Sequence, residues 1–198
     1  TLELGGKSPN IVFPDANLDE AVDGSLFAIF TNAGQRCTAR TRLFLHEDIH
    51  DKFLSEFVAK AQKIRVGDPL LHETQMGPVI SPTQANRILH YCERATSEGA
   101  ELVAGGRRIA DGELAAGNFL APTVFDGVRQ DMHLAQEEVF GPVLAVIPFK
   151  TEDEMVANAN STIYGLAATI WTNDIKRAHT LARRIQAGNI SINFPTVN

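Results

Sequence analysis

The sequence is short of everything that would take it into a membrane, onto nucleic acid or out of the cell. It has no run of roughly 18 apolar residues, so no stretch of it reads as a transmembrane helix. Cys37 and Cys92 are its only cysteines among 198 residues. They could form at most one bridge, which excludes a disulfide scaffold and points to a reducing, cytoplasmic setting. Lys and Arg number 18 against 24 Asp and Glu, a formal charge of −6. That balance leaves no basic footprint for nucleic acid or an anionic bilayer. The one dense basic cluster, Lys176, Arg177, Arg183 and Arg184, falls on an expected helix and reads as a solvated face. Among short motifs there is no phosphate-binding P-loop, no G-x-S-x-G elbow and no G-x-G-x-x-G turn. The six histidines, His46, His50, His72, His90, His133 and His179, form no close-spaced ligand set with a cysteine, so no metal site is expected. Repeats and low-complexity segments are also lacking. What is present is 44% hydrophobic residues, enough for one well-packed domain over residues 1–198.

Apolar spacing divides the chain into alternating strands and helices. Asn10 to Phe13 reads as a short strand closed by Pro14. Asn17, with Glu20 three residues on, has the form of a capping box opening a helix through Leu18, Val22, Leu26, Phe27 and Phe30. Thr41 to Leu45 is a strand, and Ile49, Phe53, Phe57 and Ala61 recur every four residues as one buried helical stripe. Ser81, Pro82 and Gln84 supply a cap, a first-turn proline and the glutamine of a second box. Ala85, Ile88, Leu89 and Cys92 line the helix that follows, which should stop at Gly99. Leu102-Val103 is a strand ahead of a Gly105-Gly106 turn, and residues 107–119 read as a surface loop or hairpin. Val143 to Phe149 is nearly continuous apolar sequence, the mark of a strand buried on both faces. Thr151 to Glu154 caps the next helix and Leu166 to Trp171 is a further strand. Ile175, Ala178, Leu181, Ala182 and Ile185 form the last helical stripe, and Asn189 to Asn193 the last strand. This succession predicts an α/β fold: a mostly parallel sheet covered by helices, with functional loops at strand ends.

Four segments carry chemistry, and they occur in a fixed order. The first is Glu3-Leu4-Gly5-Gly6-Lys7-Ser8-Pro9; the second, Gly34-Gln35-Arg36-Cys37, places a thiol 34 residues after a carboxylate. The third is Glu137-Glu138-Val139-Phe140-Gly141-Pro142 and the fourth Gly188-Asn189-Ile190-Ser191-Ile192-Asn193. Together they resemble the NAD(P)-dependent aldehyde dehydrogenase superfamily over the whole of 1–198, and they match its catalytic domain. The resemblance implies that a cofactor-binding domain precedes these residues and an oligomerisation tail follows them. It also implies a homodimeric or homotetrameric parent, and no aldehyde oxidation by residues 1–198 alone.

A lone cysteine is more often a small buried hydrophobe than a nucleophile. The small residues around Cys37 and the motif order reverse that reading. A thiol retains some thiolate near neutral pH and is intrinsically nucleophilic, which suits attack on an aldehyde carbonyl. The resemblance makes Glu3 the general base that activates water against the resulting thioester, because burial can raise a carboxylate's basicity. It also distinguishes this chain from relatives that hand the acyl group to coenzyme A, which typically lack this Glu. The same resemblance implies contacts to NAD or NADP from Glu138, which suits the ribose diol, from Phe140 and from Gly5. It further implies a substrate pocket drawing on Arg36, Thr38, Phe194 and Val197 and open to a small-molecule aldehyde. Arg36 could grip an anionic substrate tail or hold a structural salt bridge. Two other functions stay open on the residues alone: a thiol esterase using the same Cys37, and a recruited structural or binding protein.

Overall fold

A computed structural model describes residues 4–194; Glu3 and Val197 lie outside them. Seven strands form one sheet: β1 (Pro9–Val12), β2 (Arg42–His46), β3 (Glu101–Ala104), β4 (Thr123–Asp126), β5 (Val143–Phe149), β6 (Ala167–Trp171) and β7 (Asn189–Ile192). Their spatial order is β3-β4-β5-β2-β1-β6-β7. Every pairing is parallel except β3 with β4. Six helices pack on it: α1 (Leu18–Phe30), α2 (His50–Ala61), α3 (Pro82–Ser97), the one-turn α4 (His133–Gln136), α5 (Glu152–Asn160) and α6 (Ile175–Arg184). No helix among the described residues is long and apolar enough to cross a membrane.

The central strands are buried on both faces, as their unbroken apolar runs require. All of β1 and β6 is buried, and in β5 only Pro148 is exposed. The stripe Ile49, Phe53, Phe57, Ala61 is buried throughout, and Phe57 meets Phe30 of α1 at 6.0 Å between ring centres. At this scale each fully buried Phe or Ile contributes about 1.5–3 kcal/mol.

Five local readings need correction. Asn17 makes no side-chain cap bond; α1 starts without its capping box, and Ala21 N simply donates to the Asn17 carbonyl. Ser81 Oγ does accept from Gln84 N, but the glutamine side chain turns elsewhere, as described below. Ile175 leaves the α6 stripe, exposed at 69%, while Ala178, Leu181 and Ile185 stay buried. Strand β4 was not anticipated at all. The basic cluster of α6 is only partly solvated: Arg177 binds Asp15 and Glu152 while its guanidinium lies 4.8 Å over the Phe13 ring, and Arg184 binds Asp153. Residues 107–119 form the expected irregular segment, with a short 3-10 turn at Gly112–Ala116 and a bridge between Arg108 and Leu120.

Candidate active site

Three of the motif segments enter neighbouring strands at the same edge of the sheet. Residues 4–8 lead into β1, 31–41 into β2 and 137–142 into β5, so all three meet at the amino-terminal ends of parallel strands. Open α/β sheets usually bind ligands at the opposite, carboxyl ends.

The Cys37 segment begins with a reversal of backbone hand. Asn32, Ala33 and Gly34 have φ of 54°, 53° and 67°. The two non-glycine residues cost roughly 1–2 kcal/mol each in this conformation. Gly34 is required for a second reason: a Cβ there would stand 2.1 Å from the Gly141 carbonyl oxygen. Gln35 fastens the segment by accepting from Ile80 N at 2.8 Å. A hydrogen bond from Ala39 N to the Arg36 carbonyl, 3.1 Å long, then closes a turn with Cys37 and Thr38 as its two central residues. Cys37 is half-buried and free. Cys92 contrasts with it, being buried on α3, with burial and then the Glu93 charge pushing its thiol up to about 12.

The paired glycines of the first motif serve two close approaches. A Cβ on Gly6 would sit 2.0 Å from the Cys37 carbonyl oxygen, so only glycine lets this segment lie against the cysteine. Gly5 adopts φ +73°, and a Cβ there would fall 2.8 Å from Glu138 Oε2. Gly6 N donates to Glu138 Oε1 at 2.9 Å. Lys7, next in line, is 1% exposed, and its Nζ has no hydrogen-bond partner among the described residues. Burial, then repulsion from Arg42, lowers its pKa to about 7, with Glu138 and Glu137 acting in the other direction.

The third segment is held from one face of α3. Gln84 Nε2 donates to the carbonyls of Val139 and Phe140 at 3.0 and 2.8 Å, Arg87 to that of Glu138 at 3.1 Å, and Tyr91 to the Glu137 carboxylate at 2.6 Å. Phe140 takes φ +57°, a conformation that costs a bulky residue about 1–3 kcal/mol and persists only where neighbours impose it. Phe140 and Gln35 share an open cavity of about 700 Å³ with Asn32, Pro69, Pro78 and Ile80.

Cys37, Gly5, Glu138 and Phe140 are therefore brought together. Thr38 is in the same turn. Arg36 bends back onto α1, donating to the Ala28 carbonyl at 3.1 Å; its Nε is buried without a hydrogen-bond partner among the described residues. Among the described residues no carboxylate pairs with it. Burial lowers its pKa and the Cys37 thiol opposes that shift. Phe194 lies exposed beyond the carboxyl end of β7, and no hydrogen bond among the described residues joins it to the Cys37 turn. Sequence reasoning missed Gln84, Arg87 and Tyr91. Their spacing of three and four, on a helix already identified, was the signal that could have found them.

The sequence profile described as "Aldehyde dehydrogenase family" matches residues 1–198. DhaS of Bacillus subtilis (strain 168) is 47% identical over 193 residues, covering 98% of this chain and 38% of its own length. The crystal structure of HpcC from Thermus thermophilus superposes with a TM-score of 0.95 at 48% identity, over 99% of this chain and 39% of that one. Betaine aldehyde dehydrogenase from Staphylococcus aureus, solved in complex with NAD+, gives 0.97 at 41% identity, over 100% of this chain and 39% of that one. This chain thus spans about two fifths of the length of each of these relatives. It belongs to the aldehyde dehydrogenase family.

Proposed function

We propose that this chain is the nucleophile-bearing domain of an enzyme that oxidises a small-molecule aldehyde to a carboxylic acid with NAD or NADP. The observation that carries the reading is the pair of glycine contacts at one sheet edge, Gly6 against the Cys37 carbonyl and Gly5 and Gly6 against Glu138.

The Cys37 thiolate attacks the aldehyde carbon: an S–C bond forms and the carbonyl π pair moves onto oxygen. The family resemblance makes the Cys37 backbone N–H one donor to that oxyanion. As the carbon–oxygen double bond reforms, the aldehyde hydrogen leaves with its electron pair and a thioester remains on Cys37. A bound nicotinamide dinucleotide supplies the acceptor for that hydride. Water then adds to the thioester while Glu3 takes its proton, the S–C bond breaks, and the products are the thiolate and the acid.

The residues present fit such a cofactor. Only Oε1 of Glu138 receives a hydrogen bond among the described residues, which leaves Oε2 to accept from a ribose hydroxyl. Phe140 fronts the open cavity beside it. The S. aureus relative, which binds NAD+, supports the same cofactor class. The pocket roles of Arg36, Thr38, Phe194 and Val197, the homodimeric or homotetrameric parent and the cytoplasmic setting rest on the family resemblance.

The test is made at the relatives' full length, in the protein that carries this chain. Cys37→Ala should abolish aldehyde-dependent cofactor reduction and any esterase activity. Glu3→Gln should give a burst of reduced cofactor followed by slow turnover, because the acyl-enzyme still forms. Retained turnover in Cys37→Ala would sink the nucleophile assignment.

A further inference from the structure

Among the described residues Arg40 is a buried cation without an anion. It is 1% exposed, and among the described residues no carboxylate pairs with it. Its guanidinium spends its donors on neutral oxygens instead: Nε on Thr169 Oγ1 at 2.8 Å, Nη1 on the Thr38 carbonyl at 2.5 Å and Nη2 on the Ala168 carbonyl at 3.3 Å. A buried charge left without a counter-charge is unfavourable, and burial, then the nearby Arg36, pulls the guanidinium down to about 10.

The place of those contacts gives the arrangement a use. Thr38 is the residue after Cys37, within the turn closed between Arg36 and Ala39. Arg40 ties its carbonyl to β6, while the Arg40 backbone N–H and Arg36 Nη2 both donate to the Ala28 carbonyl of α1. The turn is thus pinned from the sheet on one side and from a helix on the other. Two guanidinium groups thus hold the turn that carries Cys37, and among the described residues no carboxylate pairs with either. We propose that Arg40 is a positioning residue for Cys37: it fixes the Cys37–Thr38 turn against β6 and, with Arg36, provides the positive surroundings that favour the thiolate. This rests on the reading of Cys37 as the nucleophile.

Among the described residues, two further charged groups belong to the segments packed on the turn. Lys7 follows the glycine that touches the Cys37 carbonyl, and Glu138 binds that glycine's N–H. Both stay in place in the variants below.

The probe is iodoacetamide on the full chain. The thiolate displaces iodide, an S–C bond forming as C–I breaks, and mass spectrometry reads Cys37 and Cys92 separately. In Arg40→Met the Cys37 rate at pH 7 should fall about 5- to 10-fold and the midpoint of its rate–pH profile should rise by about one unit, since rate follows thiolate fraction. Arg40→Lys keeps a charge without the fork and should recover part of the midpoint. Thr169→Val removes only the hydroxyl that anchors Nε; it should shift the profile the same way by a smaller amount, and it decides the matter if Arg40→Met does not fold. A purely structural Arg40 gives a different pattern: Cys37 and Cys92 both become more reactive as the chain loosens, and the Cys37 midpoint does not move. An unmoved midpoint in Arg40→Met and Thr169→Val overturns the proposal. No aldehyde or cofactor enters this measurement, so its failure is distinct from turnover surviving in Cys37→Ala.

Discussion

Substituting alanine at Gly6 is the sharpest perturbation this structure offers, because a single methyl group has to fit where a carbonyl already stands. The new Cβ would begin 2.0 Å from the Cys37 oxygen. Non-bonded carbon and oxygen settle near about 3.3 Å, so either the Gly5–Lys7 segment or the Cys37 turn must retreat by more than about 1 Å. Neither can do so cheaply: Gly6 N is bonded to Glu138, and the turn is held by Arg40, Ala28 and Gln35. Overpacking of this kind costs about 1–3 kcal/mol of stability. A displacement of about 1 Å at reacting groups costs on the order of 100-fold in rate. In the protein of the relatives' full length, Gly6→Ala should therefore lose a large part of kcat with a modest drop in Tm. Gly112→Ala is the matched control. That glycine has φ +56° but nothing within 4 Å of a Cβ, so alanine there should cost about 1–2 kcal/mol and leave kcat alone. If Gly6→Ala turned over at the wild-type rate, the close approach would have no bearing on catalysis and the reading of the edge as an active site would be wrong.

Removing Gln84's amide leaves two carbonyls of the 137–140 segment without their donor, at about 1–3 kcal/mol. Gln84→Leu should accordingly raise KM for the dinucleotide far more than it slows iodoacetamide on Cys37, and equal effects on both would contradict a role confined to that segment. His50 bridges Asp51 and Asp126 at 2.9 Å each; burial alone would lower its pKa, but those two carboxylates outweigh burial and raise it. Its contribution is thus fully present below the ordinary histidine pKa and is lost as pH rises through the elevated folded value. Urea melts of His50→Gln should show the larger deficit at pH 5.5 and little at pH 8.5, and a deficit independent of pH would refute the linkage.

Most of the scaffold was legible because its signals were repeated. The Phe53–Phe57 stripe, the β5 run and the Ser81 cap each state one local preference several times over, and the structure follows them. β4 failed that test. Thr123–Asp126 is four residues long and offers only Val124 and Phe125 as fully apolar positions; its strand character comes from pairing with β5 and β3, which local sequence does not record. The Asn17 box failed for the opposite reason, since a good local signal was simply left unused. In the candidate site, Cys37, Gly5, Glu138 and Phe140 were named because motif spacing was compared with a known pattern. The contacts of Arg40 and the buried state of Lys7 were not legible, and the role of Gln84 was legible only in the spacing it shares with Arg87 and Tyr91 on α3. Arg40 acts through a contact 129 residues along the chain, with Thr169, and Lys7 stands out because its buried Nζ has no hydrogen-bond partner among the described residues; only a fold can reveal either.

The convergence of the motif segments on the amino-terminal strand ends also divides the molecule for anyone who would redesign it. Connections at the far edge are tight, as at Lys150–Thr151 between β5 and α5 or Thr172–Asp174 between β6 and α6, whereas the long ones, 31–41, 62–81 and 105–122, open on the near edge. Of these, 62–81 supplies Pro69, Thr74, Met76, Pro78 and Ile80 to the cavity beside Phe140 without belonging to any strand of the sheet. New chemistry could be grafted there by exchanging one loop, with the strands and the cysteine turn left as they are.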